Sequence, residues 1–201
     1  EFQIPTIAAD PYYITAGSDG NIWFSEYFRN KIGRISMSGL VAEFPITTSE
    51  SGPYGIAPGH DGNIWFAENR MNKIGKITPN GIITEFQIPT NESEPFAIAS
   101  GPDGNLWFTE SKGNKIGRIT PEVIIAEFSI PTNNSNPHGI TAGPDGNVWF
   151  TEMSVSKVGR ITPEGTITEF LVPTDSSSPA GITAGSDGNI WFTEYSNNKI
   201  G

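Results

Sequence analysis

The stretch Pro53-Tyr54-Gly55-Ile56-Ala57-Pro58-Gly59-His60-Asp61-Gly62-Asn63-Ile64-Trp65-Phe66-Ala67-Glu68 reads as two short β-strands joined by a tight turn. Asp61 and Gly62 tolerate the positive φ that such a turn demands. This places a first strand at Tyr54 to Gly59 and a second at Asn63 to Glu68. The Ile64-Trp65-Phe66 centre of the second strand is apolar on both faces, as expected of a strand sandwiched between neighbouring sheets rather than facing water. Further along, a third strand spans Lys73 to Thr78, and beyond the Pro79-Asn80-Gly81 turn a fourth spans Ile82 to Ile88. The fourth alternates apolar and polar residues and stops at Pro89, the behaviour of an outer edge strand.

The same unit returns along the whole chain. Trp23, Trp65, Trp107, Trp149 and Trp191 each lie 42 residues from the last, and the Glu-Phe pair recurs in the same register at Glu1, Glu43, Glu85, Glu127 and Glu169. A period near 40 with four β-like runs is the signature of a propeller blade, whereas a helical solenoid of that period would show 3.6-residue patterning. The expected fold is therefore all-β: a five-bladed β-propeller of four-stranded antiparallel blades, forming one domain over residues 1–201. Burial of the Trp-Phe pairs, at about 1.5–3 kcal/mol per large apolar side chain, is its expected main stabilisation. The chain opens at a fourth strand (Glu1 to Pro5) and stops in a third (Lys199 to Gly201), so the leading segment is expected to pair with the last strand and close the last blade. The competing reading is part of a larger propeller, open or completed by another chain.

Composition bounds the function classes. Gly (23) and Pro (16) are abundant in the 201 residues and charged side chains are 17%, the balance of a turn-rich β protein. With 22 acidic against 12 basic residues the net charge is −10, which disfavours nucleic acid and anionic membrane surfaces as partners. The absence of cysteine excludes disulfides and thiolate metal sites. No leader-like or membrane-spanning apolar run is seen, so a soluble protein is expected, a monomer unless two copies exchange strands.

The repeats serve as their own comparison: positions identical in every blade are expected to be structural, and positions that differ at equivalent sites are candidates for function. Asp19, Asp61, Asp103, Asp145 and Asp187 each precede Gly-Asn, and lacking calcium-loop spacing they read as turn residues. Glu26, Glu68, Glu110, Glu152 and Glu194 end every second strand, while Lys31, Lys73, Lys115, Lys157 and Lys199 begin every third. These are expected to form a repeated charge network with Arg34, Lys76, Arg118 and Arg160.

Symmetry breaks just after the proline that opens each first strand, where Tyr12, Tyr54, Phe96, His138 and Ala180 stand. First strands are innermost in a propeller, so these side chains are expected to converge on one mouth of the central channel, as a ligand pocket or as a plug. The second histidine, His60, reads as a solvated turn residue. The loops between second and third strands also vary, and Tyr27-Phe28 is the pair worth testing as a contact patch. Val123 replaces the glycine of Gly39, Gly81 and Gly165, which predicts a different turn geometry there.

The string Pro137-His138-Gly139-Ile140-Thr141-Ala142-Gly143-Pro144-Asp145-Gly146-Asn147-Val148-Trp149-Phe150-Thr151-Glu152, with Lys157-Val158-Gly159-Arg160-Ile161-Thr162 and Glu169-Phe170, resembles the streptogramin B (virginiamycin B) lyases, blade after blade over the whole chain. The resemblance implies bacterial, cytoplasmic seven-bladed propellers that open small cyclic depsipeptide antibiotics by elimination, with a histidine as general base and Mg2+ and carboxylates polarising a carbonyl. His138 matches the position of the family's catalytic histidine. Asn136 stands where the family has a metal-binding glutamate, Met153 where it has a further carboxylate (with Glu152 beside it), and Phe96 where it has a second histidine. The leading expectation is thus a lyase-like binding or scaffold module acting through Tyr12, Tyr54, Phe96 and His138. The alternatives are a Mg2+-dependent lyase using His138 and Glu152, and an amplified or engineered repeat with no ligand.

Overall fold

The computed structural model describes every residue from Glu1 to Gly201, as nineteen strands and no helix. No helix is long and apolar enough to cross a membrane. The first sheet contains β1 (Pro11–Ala16), β2 (Ile22–Glu26), β3 (Lys31–Ile35) and β4 (Val41–Pro45), and the second β5 (Pro53–Pro58), β6 (Ile64–Glu68), β7 (Lys73–Ile77) and β8 (Ile83–Gln87). The third holds β9 (Pro95–Ser100), β10 (Leu106–Glu110), β11 (Lys115–Ile119) and β12 (Ile125–Ser129). The fourth holds β13 (Pro137–Ala142), β14 (Val148–Glu152), β15 (Lys157–Ile161) and β16 (Ile167–Leu171). The fifth has only β17 (Pro179–Ala184), β18 (Ile190–Glu194) and β19 (Lys199–Ile200). Each sheet is a meander of strands consecutive in the chain, and the first four have the four strands expected of a blade. The chain forms two compact units, Glu1–Ile98 and Ala99–Gly201, whose boundary falls within β9.

In the first unit Trp23, Ile32, Ile46, Ile56, Ile64, Phe66 and Ile77 form a buried cluster flanked by Tyr13, Phe44 and Ile83. The Asp-Gly-Asn turns support it from outside. Asp61 accepts from the backbone and side-chain nitrogens of Asn63 (3.1 and 2.7 Å) and from the Trp65 indole (3.2 Å), so the turn carboxylate satisfies the one polar atom of a ring otherwise buried. Phe66 lies across the sheet from Gly75, where a Cβ would come within 2.1 Å of its ring. The glycine of each Lys-Ile-Gly triplet is therefore a seat for the neighbouring phenylalanine. The Ser25 hydroxyl donates to the Tyr54 carbonyl (2.7 Å), tying the first sheet to the second. In the second unit Thr109 and Thr151 repeat this link to the carbonyls of His138 (3.0 Å) and Ala180 (2.8 Å).

The charge network differs from expectation. Lys31, Lys73, Lys115 and Lys157 pair with the glutamates of the Glu-Phe motif, Glu43, Glu85, Glu127 and Glu169, at 3.3–3.8 Å. Arg34, Lys76, Arg118 and Arg160 lie over the Trp-Phe pairs at 5.1–5.8 Å, where the ring faces attract a cation, and Arg160 also pairs with the turn residue Asp145 at 3.9 Å. Glu26, Glu68 and Glu152 are fully buried and each faces the glutamate of the Glu-Phe motif in its own sheet, with the Ser51 hydroxyl also beside Glu68 and the Ser135 hydroxyl beside Glu152. Burial and the facing Glu43, Glu85 and Glu169 push them up to about 7, 8 and 8 respectively. Below those values each holds a proton that its neighbouring carboxylate accepts, which at pH 7 applies to Glu68 and Glu152 more fully than to Glu26.

Two further expectations are corrected. The leading segment does not close the last blade: residues 1–10 contain no strand, and β19 pairs with β18 alone, through Thr193↔Ile200 and Glu194↔Lys199. The segment's bonds go to the first sheet, where the Lys31 ammonium donates to Thr6 (2.6 Å), Arg29 donates to the Ala8 carbonyl (2.9 Å) and Phe2 covers Gly39. At Val123 the turn keeps the glycine geometry, with φ of 68° against 84° at Gly39 and 86° at Gly81. The Val123 amide donates to Thr120 at 2.9 Å as the Gly81 amide does to Thr78 at 2.8 Å. The hydrogen bond holds a β-branched residue in the left-handed region, so the cost appears as strain rather than a new turn.

Candidate ligand-binding site

At Tyr12, Tyr54, His138 and Ala180 the variable residue after the blade proline sits at an irregularity in strand pairing. In the second sheet Pro53 faces Glu68 but Ile56 faces Phe66, so one extra residue bulges from β5 at Tyr54 and Gly55. The same shift occurs between Pro11 and Ile14, Pro137 and Ile140, and Pro179 and Ile182. The bulge frees these side chains from the alternation of the strand. Gly55 permits it because a Cβ would meet the Phe96 carbonyl at 2.6 Å.

Within the first unit three of the expected mouth residues come together. Tyr54 lies 4.8 Å from Tyr12 and 4.1 Å from Phe96 between ring centroids. Tyr13 and Tyr27 join at 5.2 and 5.6 Å from Tyr54, and Phe28 stands edge-on to Tyr27 at 4.9 Å. Burial, with Tyr13, Tyr12 and Tyr27 close by, pushes the Tyr54 phenol up to about 12, so it remains a hydrogen-bond donor at any physiological pH. Tyr12 is 50% and Phe28 56% exposed, which leaves aromatic surface open to a ligand. Arg70 completes the cluster, over Tyr27 (4.7 Å) and Phe28 (5.5 Å) with its Nε donating to the Tyr27 hydroxyl at 3.1 Å. Sequence reasoning singled out Tyr27-Phe28 but missed Arg70 and Tyr13. Arg70 lies at the repeat position of Phe28, a signal visible only once the two loops are aligned.

In the second unit His138 sits in the β13 bulge, hydrogen-bonded to the Ala180 backbone. Burial holds its imidazole below the usual histidine range, so it is neutral at pH 7. The β13–β14 end forms a cleft lined by Asn136, Met153, Ser154, Val155, Ser156, Ser176 and Ser178, with the Met153 amide donating to the Asn136 carbonyl (3.2 Å). Asn136 and Met153, the positions matching the family's metal carboxylates, thus share one cleft. It offers amide, thioether and hydroxyl groups but no carboxylate, a donor set that does not fit Mg2+. Glu152 lies outside that lining, buried against Glu169 as Glu26 is against Glu43 and Glu68 against Glu85.

Repeated 42-residue β-meanders, each with a bulged first strand, define a protein of the β-propeller class. The comparisons agree. The virginiamycin B lyase family matches residues 1–201, and the chain belongs to that family. The chain is 48% identical to selenomethionine-substituted virginiamycin B lyase from Staphylococcus aureus, with a TM-score of 0.97 over 98% of this chain and 68% of that one. A streptogramin B lyase structure aligns at 45% identity and TM-score 0.97, over 100% of this chain and 67% of the other. The S. aureus enzyme as a catalytically inactive histidine-to-alanine variant with quinupristin aligns at 45% identity and TM-score 0.94, covering 99% and 71%.

Proposed function

We propose that this chain binds a cyclic depsipeptide of the streptogramin B type on the cluster of Tyr12, Tyr54 and Phe96, as a recognition rather than a Mg2+-assisted catalytic member of its family. The observation that carries the reading is the open aromatic surface within the first unit; the cleft at Asn136 and Met153 within the second unit, considered by itself, lacks the carboxylates a divalent cation needs. Aromatic faces recognise apolar and aromatic peptide side chains without charge complementarity, which suits a protein of net charge −10. Titrating quinupristin into the protein while following intrinsic fluorescence tests this. Saturable binding that weakens at least about tenfold in Tyr54→Ala supports it, since a well-packed aromatic contact of about 1.5 kcal/mol accounts for that factor. Binding unchanged in Tyr54→Ala removes it.

A second reading, elimination with His138 as general base, draws support from the half-buried imidazole, whose partial burial favours its neutral form. Turnover of quinupristin with Mg2+ that disappears in His138→Ala would establish it. Retention of intact antibiotic over long incubation would favour recognition.

A further inference from the structure

The aromatic cluster carries a cation that neither the fold nor the repeat requires. Arg70 stands where the other blades have Phe28, Lys112, Ser154 and Ser196, so the loop between second and third strands folds with or without an arginine. In the first unit the other basic side chains are occupied. Lys31 and Lys73 pair with Glu43 and Glu85, Arg29 and Arg34 donate to the carbonyls of Ala8 and Pro79, and Lys76 lies over Trp65. Arg70 alone ends on a phenol, with its Nε committed to Tyr27 and its Nη atoms bonded to no protein group.

The guanidinium is also held in place. Its backbone amide donates to the Ser51 carbonyl at 3.0 Å, and its stem passes Gly52, where a Cβ would come within 3.1 Å of Cγ and 3.0 Å of the Tyr27 ring. Gly52, at φ of 62°, is the residue that lets Arg70 and Tyr27 meet. The guanidinium carbon lies 4.7 Å from the Tyr27 ring centroid and 5.5 Å from that of Phe28, which is 56% exposed, so the cation sits beside open ring surface. The fork of a guanidinium matches a carboxylate with two parallel hydrogen bonds, and the rings beside it match a flat aryl group.

The geometry points to a subsite for an aryl carboxylate, its acid group on the Arg70 fork and its ring against Phe28 and the neighbouring tyrosines. The inference rests on the reading of the cluster as a ligand surface and adds the chemistry of one group that it accepts. Since the chain's net charge of −10 repels anions at long range, affinity for an acid must come from this local contact, which makes it separable by a single substitution.

The probe is 4-fluorobenzoate, with 4-fluorobenzamide as the uncharged control, each titrated against the full chain and read by fluorine NMR. The acid is expected to bind about tenfold more tightly than the amide, the preference to vanish in Arg70→Gln and to survive in part in Arg70→Lys, and both ligands to weaken in Phe28→Ala. Circular dichroism of each variant checks that the fold is retained. Equal binding of acid and amide, an acid preference that persists in Arg70→Gln, or no binding of the acid at about 20 mM overturns the subsite. Quinupristin binding that depends on Tyr54 while Arg70 shows no acid preference refutes the subsite and leaves the depsipeptide reading standing. Acid preference without quinupristin binding does the reverse.

Discussion

Replacing Glu68 by Gln is expected to flatten the dependence of stability on pH. Glu68 is fully buried and faces Glu85, which is itself paired with Lys73 at 3.8 Å and hydrogen-bonded to Thr48. Burial first, and then Glu85, raise the Glu68 carboxyl from its ordinary 4.5 to about 8, while Glu85 is held below its ordinary value. Above pH 4.5 the unfolded chain releases both protons and the folded pair keeps one. The contribution of Glu68 is thus complete below 4.5 and is lost as pH rises toward about 8. One extra proton bound by the folded state corresponds to a slope of about 1.4 kcal/mol per pH unit across that window. Glutamine keeps the shape and a donor toward Glu85 but has nothing to ionise, so Glu68→Gln should lose stability less steeply by about that slope and overtake the parent protein near pH 8. Urea unfolding followed by tryptophan fluorescence at pH 5, 6, 7 and 8 measures it. Parallel pH profiles for the two proteins, or a variant less stable than the parent at pH 8, would refute the shared-proton assignment.

Ser156→Asn should stabilise the second unit by about 1–2 kcal/mol. Asn114 at the equivalent position bonds the carbonyls of Ile130 and Thr132 and accepts from Ser135 Nα and Oγ, whereas Ser156 accepts only from the Ser177 amide and leaves the buried Ser177 hydroxyl without a partner. An unchanged midpoint in denaturant would show that the hydroxyl is already satisfied. Val123→Gly relieves a β-branched residue at φ of 68°. With about 1–2 kcal/mol of left-handed strain removed and about 0.5–1 kcal/mol of glycine entropy added, a net gain near 0.5–1 kcal/mol is expected in thermal or urea unfolding. A loss of stability would mean that packing of the valine outweighs its backbone strain.

The sequence by itself determined the repeat, the strand order and the turns, because each is written in local chemistry. Asp61-Gly62-Asn63 can be little other than a tight turn, and an apolar Ile64-Trp65-Phe66 run bounded by turns must be an inner strand. It also marked Tyr12, Tyr54, Phe96 and His138, since their departure from the repeat needs no coordinates to see. Tertiary structure alone decided which charged groups meet. A lysine can reach any of several glutamates by spacing: the register of β6 against β7 sets Lys73 opposite Glu68 and Lys76 opposite Trp65, yet only the side-chain placement in three dimensions turns the Lys73 ammonium to Glu85, on the strand at its other side, and leaves Lys76 over the Trp65 ring. The same holds for the leading segment, whose Glu-Phe pair matches every fourth strand in sequence yet forms no strand. Pairing of an edge strand depends on what lies beside it in space, and a one-dimensional pattern does not contain that neighbour.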